Sequence, residues 1–170
     1  MPRTVLKASR AREVRVETDA DGRARVVKRF ASPGRISALF DRRRAERELE
    51  LLTLLHAAGV PVPRPLGLER RAGGFEVATE HLADRRDLAG LLAEGRVPPP
   101  AAFRELGRAL ARLAELWIDH PDLHPGNVLV GARGEIALID FHAARRRRGP
   151  SRARLVRDVI SLEAALRERT

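Results

Sequence analysis

Cysteine is absent from the 170 residues, which excludes disulfides and thiolate metal sites and makes a reducing cytoplasm the expected compartment. Tyrosine is also absent, and five Phe with one Trp offer few faces on which bases could stack, which argues against a nucleic-acid partner. No apolar run approaches the length that crosses a bilayer. The opening MPRTVLKASRAREVRV carries charges where a signal peptide would be apolar, so the chain reads as soluble. What is abundant is positive charge. Lys and Arg number 33 against 23 Asp and Glu, a formal net charge of +10 that favours anionic partners. At 44% hydrophobic residues the chain still has enough apolar side chains to build the core of one domain.

Alternation of apolar and polar side chains over 14–18 (VRVET) and 24–30 (ARVVKRF), around an Asp-Gly turn at Asp21–Gly22, predicts a hairpin with Lys28 on its second strand. Leu49, Leu51, Leu52, Leu54 and Leu55 give the crowded apolar face of a helix over 42–57, stopped by Gly59 and Pro61, with Glu48 near the start of that face. Residues 75–82 (FEVATEHL) read as a buried strand opening into a loop, and Asp87 as the N-cap of a short helix. After Pro98–Pro100, the spacing of Phe103, Leu106, Leu110, Leu113 and Trp117 predicts one long amphipathic helix ending just before His120. Asn127–Val130 and Glu135–Ile139 flank Gly131–Gly134 as a second hairpin. The expected fold class is α+β, in two small lobes with a cleft between them.

The chemistry concentrates in His120-Pro-Asp122-Leu-His-Pro-Gly-Asn127 and, one hairpin later, Ile139-Asp140-Phe141-His142. Asp122 precedes Asn127 by five residues, and Asp140 follows at the far end of the hairpin. These motifs resemble the catalytic and metal-binding loops of the protein-kinase-like superfamily. Phosphoryl transfer needs positioning and charge neutralisation more than covalent help. The resemblance therefore implies ATP with Mg2+. Asp122 would be the base for an attacking hydroxyl, and Asn127 and Asp140 the oxygen ligands of the metal. Lys28 would hold the α- and β-phosphates, with Glu48 as its partner. Backbone groups of Glu80 to Leu82 would meet adenine, with Thr79 at the rear of the pocket. The implied fold is a minimal kinase-like one, with an antiparallel-sheet N-lobe plus helix over about 1–82 and a reduced, mainly helical C-lobe over 83–170.

Within the superfamily, REL, HAAGVPVPRPLG, DLHPGNVLV and IDFHAAR look most like the bacterial lipopolysaccharide-core kinases for Kdo and heptose, with RIO-type and aminoglycoside phosphotransferase-like kinases as neighbours. That likeness implies a sugar hydroxyl on an anionic glycolipid as acceptor. Several departures stand beside it. No glycine-rich phosphate loop is present, which leaves phosphate cover to Ser32, Gly34 and Arg35. Pro121 replaces the Arg usual before the catalytic Asp, and His142 replaces the Gly of Asp-Phe-Gly. Seven arginines and no acidic residue lie between Arg145 and Arg157. They read either as a solvated charge run or as an anion-binding surface for phosphorylated sugar or the inner membrane face. In the segment that follows, Leu155, Val159, Ile160 and Leu162 predict a closing helix with Asp158 reaching back to the catalytic loop. Three further readings remain open at this point. One is a binding module without turnover, another a RIO-like protein kinase, and the third a hydrolase with a metal on His120, Asp122, His124 and Asp140.

Overall fold

The computed structural model describes residues 3–8, 12–19, 21–32 and 35–147. Gly34, the Arg35 side chain, the arginines beyond Arg147 and the expected closing helix with Asp158 lie outside the described residues. Two compact units divide the chain. The first comprises Met1–Ala58 with Pro63–Leu82, and the second Gly59–Val62 with Ala83–Thr170.

The first unit is a five-stranded antiparallel sheet with one helix. Its strands are β1 (Arg3–Ala8), β2 (Arg12–Thr18), β3 (Ala24–Phe30), β4 (Pro65–Arg71) and β5 (Gly74–Glu80), in the order β1-β2-β3-β5-β4. The β2–β3 turn is closed by Asp19, whose Oδ1 accepts from the backbone N–H of Asp21 and Arg23 at 2.9 and 2.8 Å. Gly22 there takes φ +79, a left-handed conformation natural to glycine. Strands β1 and β4 have no counterpart in the sequence reading.

Helix α1 (Arg35–Ala57) begins earlier than its leucines suggest. Among the side chains described, from residue 40 on, its buried stripe is Asp41, Ala45, Glu48, Leu52 and Leu55, whereas Leu54 is exposed. The spacing of 4, 3, 4 and 3 residues is the seam of a straight helix face, and two of its five positions are carboxylates. Phe30, Ala45 and Val77 form the core between helix and sheet, with Leu49, Leu68 and Phe75 packed against it.

The opposite face of the sheet is ionic. Arg15, Glu17 and Glu76 are buried there to 8% exposure or less. They belong to a closed ring of alternating charge. Arg15 meets Glu17 at 3.1 Å and Glu76 at 2.9 Å, Glu17 meets Arg25 at 2.7 Å, and Arg25 meets Glu69 at 3.0 Å. Arg71 contacts Glu69 at 2.5 Å and Glu76 at 3.9 Å, which closes the ring. Four strands are thereby tied side chain to side chain. Burial works against the charge on Glu17, yet the hydrogen bonds and charges of Arg25 and Arg15 prevail and leave its pKa lowered.

In the second unit, β6 (Arg86–Asp87) leads into α2 (Leu88–Ala93), where Asp87 Oδ1 caps the helix by accepting from Gly90 N at 2.8 Å. Helix α3 (Pro100–Glu115) starts with proline in its first turn and buries Ala102, Leu106, Ala109, Leu110 and Leu113. Here the sequence reading needs correction. Phe103 and Trp117 are exposed, and the helix ends at Glu115 rather than near His120. Trp117 adopts φ +57, a left-handed conformation that no helix continues through. Beyond it run β7 (Ile118–Asp119), β8 (Val128–Val130), β9 (Ile136–Leu138) and β10 (Arg145–Arg146). They form two small sheets, β6-β8-β9 and β10-β7. Gly59–Val62 joins this unit through Leu138 N donating to Pro61 O at 2.8 Å.

Candidate functional site

The residues of interest fall in both units. In the first, β3 carries Lys28 on the face turned to α1, and its Nζ lies 2.9 Å from Glu48 Oε1. Both side chains are nearly buried, at 11% and 6% exposure. Glu48 Oε2 is buried without a partner among the described residues, so the carboxylate has acceptor capacity left over. The hydrophobic stripe of α1 thus holds an acid in place and the sheet supplies its cation.

The expected phosphate cover and adenine contacts look different in the structure. Ser32 is bound to the buried Asp41, its N–H donating to Oδ2 at 2.6 Å and its Oγ–H to Oδ1 at 2.9 Å. Glu80 N–H donates to Arg64 O at 2.9 Å, and Glu80 Oε1 accepts from Arg64 N at 2.8 Å. Glu80 therefore has its N–H engaged within its own unit, while Leu82 is the half-buried last residue of that unit. Thr79 is half-buried on β5.

In the second unit the loop between β7 and β8 presents the rest. His120 sits beneath it at 2% exposure, with Nε2 donating to Ile139 O at 3.0 Å and its ring 4.5 Å from that of Phe141. Burial lowers its pKa against the opposing pull of Ile139 O, Asp140 and Asp122, so the ring is held neutral and acts as a prop. Asp122 is half-exposed. Asn127 is buried, and its amide nitrogen donates to Asp122 O at 2.8 Å. That bond fixes which way the amide faces and leaves Oδ1 as the oxygen free to meet a cation.

His124 Nδ1 lies 3.1 Å from Gly126 N, and its Nε2 lies 3.1 Å from the Asn127 amide nitrogen. A neutral imidazole accepts at one nitrogen only, so one of these is a hydrogen bond and the other a contact. The β8–β9 hairpin pairs Val128 with Leu138, and Ile139 N donates to Asn127 O at 3.0 Å. Asp140 is therefore the next residue after Asn127's own backbone partner.

Asp140 takes φ +63 and ψ +58. A left-handed Asp is tolerated but strained, and such positions cluster where function demands an aimed side chain. The buried Phe141 anchors the turn that follows. Asp122, Asp140 and His142 each bring one ligand atom within 4.8 Å of the others. Neither His120 nor His124 belongs to this cluster, so the four-residue set of the hydrolase reading is not the one gathered among the described residues. His142 was read from the sequence only as a departure from glycine, and its Nδ1 lies 2.6 Å from Asp140 Oδ1.

The donors around Asp140 suit a small hard cation. The two carboxylates of the cluster, Asp122 and Asp140, are oxygen ligands of the type Mg2+ takes, and the Asn127 amide, turned by its bond to Asp122 O, has an oxygen to offer as well.

Comparison with known proteins places these observations. The sequence profile described as the Lipopolysaccharide kinase (Kdo/WaaP) family matches residues 17–169, and the chain belongs to that family. Two relatives are described as 3-deoxy-D-manno-octulosonic acid kinase. That of Vibrio parahaemolyticus serotype O3:K6 is 28% identical over 111 residues, which is 63% of this chain and 46% of the relative. That of Actinobacillus succinogenes is 39% identical over 92 residues, 51% of this chain and 38% of the relative. The chain spans less than half the length of these relatives. Among solved structures, that of monomeric WbdD matches with TM-score 0.70 and 25% identity, covering 92% of this chain and 37% of its own. The fold is accordingly a small kinase-like α+β fold.

Proposed function

We propose that the protein is an ATP-dependent phosphotransferase whose acceptor is a sugar hydroxyl of lipopolysaccharide core or a similar anionic glycolipid. The observation that carries this reading is the loop-and-hairpin arrangement of the second unit. It brings ligand atoms of Asp122 and Asp140 within 4.8 Å of each other and ties the Asn127 amide to the backbone carbonyl of Asp122, which supports a shared role for the three. Membership of the lipopolysaccharide kinase family and the names of the relatives supply the acceptor class.

In this reading Asp122, the half-exposed carboxylate, accepts the proton of the attacking hydroxyl. Asn127 and Asp140 hold Mg2+, which when bound neutralises charge on the ATP phosphates. Lys28 contacts the phosphates, and Glu48 keeps its ammonium in place. The adenine contacts fall to Leu82 and the remaining backbone groups near Glu80. Arg145 and Arg146 are exposed on β10 and begin an arginine-rich stretch suited to anionic sugar or to peripheral contact with the inner membrane face. Such a protein would work in the cytoplasm, where ATP is supplied.

The test measures ATP–Mg2+ binding by calorimetry and phosphate transfer from labelled ATP to Kdo-bearing lipid A. Asp122→Ala is expected to lower kcat about 100-fold or more with nucleotide affinity nearly unchanged, since a general base acts in the transition state. Asp140→Ala is expected to lose both. Failure to bind ATP–Mg2+, together with an inert Asp140→Ala, overturns the reading.

A further inference from the structure

Mg2+ asks for oxygen, yet a nitrogen stands in the same cluster. His142 Nδ1 is 2.6 Å from Asp140 Oδ1, and the two side chains are 24% and 25% exposed. The imidazole is carried on a single 3-10 turn, Phe141–Ala143, and Ala144 N donates to Phe141 O at 3.0 Å. Phe141 and Ala144 are buried at 1% and 2% exposure on either side of it. The turn is therefore clamped at both ends, and the ring is delivered to Asp140 rather than left to wander in solvent.

We propose that His142 is a direct nitrogen ligand of the divalent ion held at Asp140, and that it biases the site toward Mn2+ over Mg2+. The inference rests on the phosphotransferase reading of the site. Carboxylate and amide oxygens serve Mg2+ and Mn2+ alike, whereas imidazole is a ligand for first-row transition ions and a poor one for Mg2+. Without the ion, Nδ1–H donates to the Asp140 carboxylate. On coordination the Nδ1 proton leaves that nitrogen, for Nε2 or for solvent, and the lone pair it frees faces the metal. Two ligands at right angles, each about 2.1 Å from an ion, stand about 3 Å apart. The present separation of 2.6 Å needs only a few tenths of an ångström of side-chain adjustment. A purely structural His142 would instead compete with the ion for the same oxygen.

The experiment uses the full chain with Mn2+ and a non-hydrolysable ATP analogue, read by electron paramagnetic resonance. Pulsed spectra of wild type should show a directly coordinated nitrogen that changes when the protein carries 15N-histidine, a readout that needs no variant. His142→Ala should abolish that coupling and weaken Mn2+ by roughly tenfold or more. Its Mg2+ affinity, measured by competition, should move less than about threefold, because Mg2+ gains little from the nitrogen. His142→Gly serves as a second variant, and circular dichroism checks that each remains folded.

Three outcomes decide. Nitrogen coupling lost in both variants supports the proposal. Bound Mn2+ that depends on Asp140 but shows no nitrogen coupling overturns it and leaves the phosphotransferase reading intact. No bound Mn2+ at all, with or without the nucleotide analogue, overturns both.

Discussion

The Lys28–Glu48 pair offers the sharpest separation of structure from function. Its members are 2.9 Å apart at 11% and 6% exposure. Lys28→Met would leave a carboxylate in the buried stripe of α1 with one oxygen already unpartnered. Removing one member of a buried pair costs about 3–5 kcal/mol. Lys28 is slightly more exposed than its partner, which favours the lower end, about 3 kcal/mol. With a urea m-value of about 2 kcal/mol/M, the unfolding midpoint should fall by about 1.5 M. Lys28→Met combined with Glu48→Leu removes the stranded charge and restores apolar packing. Exchanging a buried pair for hydrophobic residues is often neutral or stabilising, so the midpoint should return to within about 0.5 M of wild type. Affinity for ATP–Mg2+ should not return with it. Urea melts followed by far-ultraviolet circular dichroism give the first quantity and calorimetry the second. If the double variant binds ATP–Mg2+ within threefold of wild type, Lys28 is a structural residue and its phosphate role is refuted.

Arg15→Met should destabilise by about 2 kcal/mol, since among the described residues Glu76 then keeps only the 3.9 Å contact with Arg71, and adding Glu76→Leu should recover most of the loss in the same urea assay. Glu17 has a lowered pKa, so its stabilisation is complete above the ordinary carboxylate range and is lost as pH falls through the lower folded value. The midpoint difference between wild type and Glu17→Gln should therefore shrink from about pH 6 to about pH 3, and a constant difference would contradict the assignment. Gly134→Ala should cost about 3 kcal/mol by thermal or urea melting, because φ is +93 and the new Cβ would fall 2.8 Å from Ala101 Cβ and 2.9 Å from Ala102 N. Trp117→Gly relieves a left-handed conformation but gives up the covered part of a half-exposed indole, so stability in the same measurement should change by less than about 1 kcal/mol.

What the sequence made legible follows from how local each signal is. The Asp122-to-Asn127 spacing, the β8–β9 hairpin and the Asp87 cap are written in adjacent residues, so they could be read without the fold. The ion pair of Lys28 and Glu48 was reached by resemblance, because nothing local ties a strand lysine to a helix glutamate 20 residues on. Leucine counting found Leu49, Leu52 and Leu55 but put the exposed Leu54 on the buried face and began that face too late for Asp41 and Ala45, since the acid at Asp41 is buried through its bonds to Ser32. Phe103 and Trp117 were assigned to the core by periodicity, a rule that fails where alanines at 102 and 109 let the helix approach closely and where the helix stops short. Strand β4 contains Pro65 and Gly67, which hide it from a β-propensity reading. The charged ring on the sheet shows as alternation along each strand, but its closure depends on register, which only the paired structure supplies.

Trp117 has one more consequence. It is the sole tryptophan in a chain without tyrosine, so light absorbed beyond the phenylalanine range comes from one place. That place is a half-exposed corner whose carbonyl accepts from Arg147 N at 2.7 Å, beside the β7–β10 pairing that follows the Asp140 turn. The protein thus carries its own fluorophore at the first arginines of the basic stretch. A change in its emission when nucleotide, metal or acidic sugar is added would come from that corner alone, with no label attached and no background to subtract.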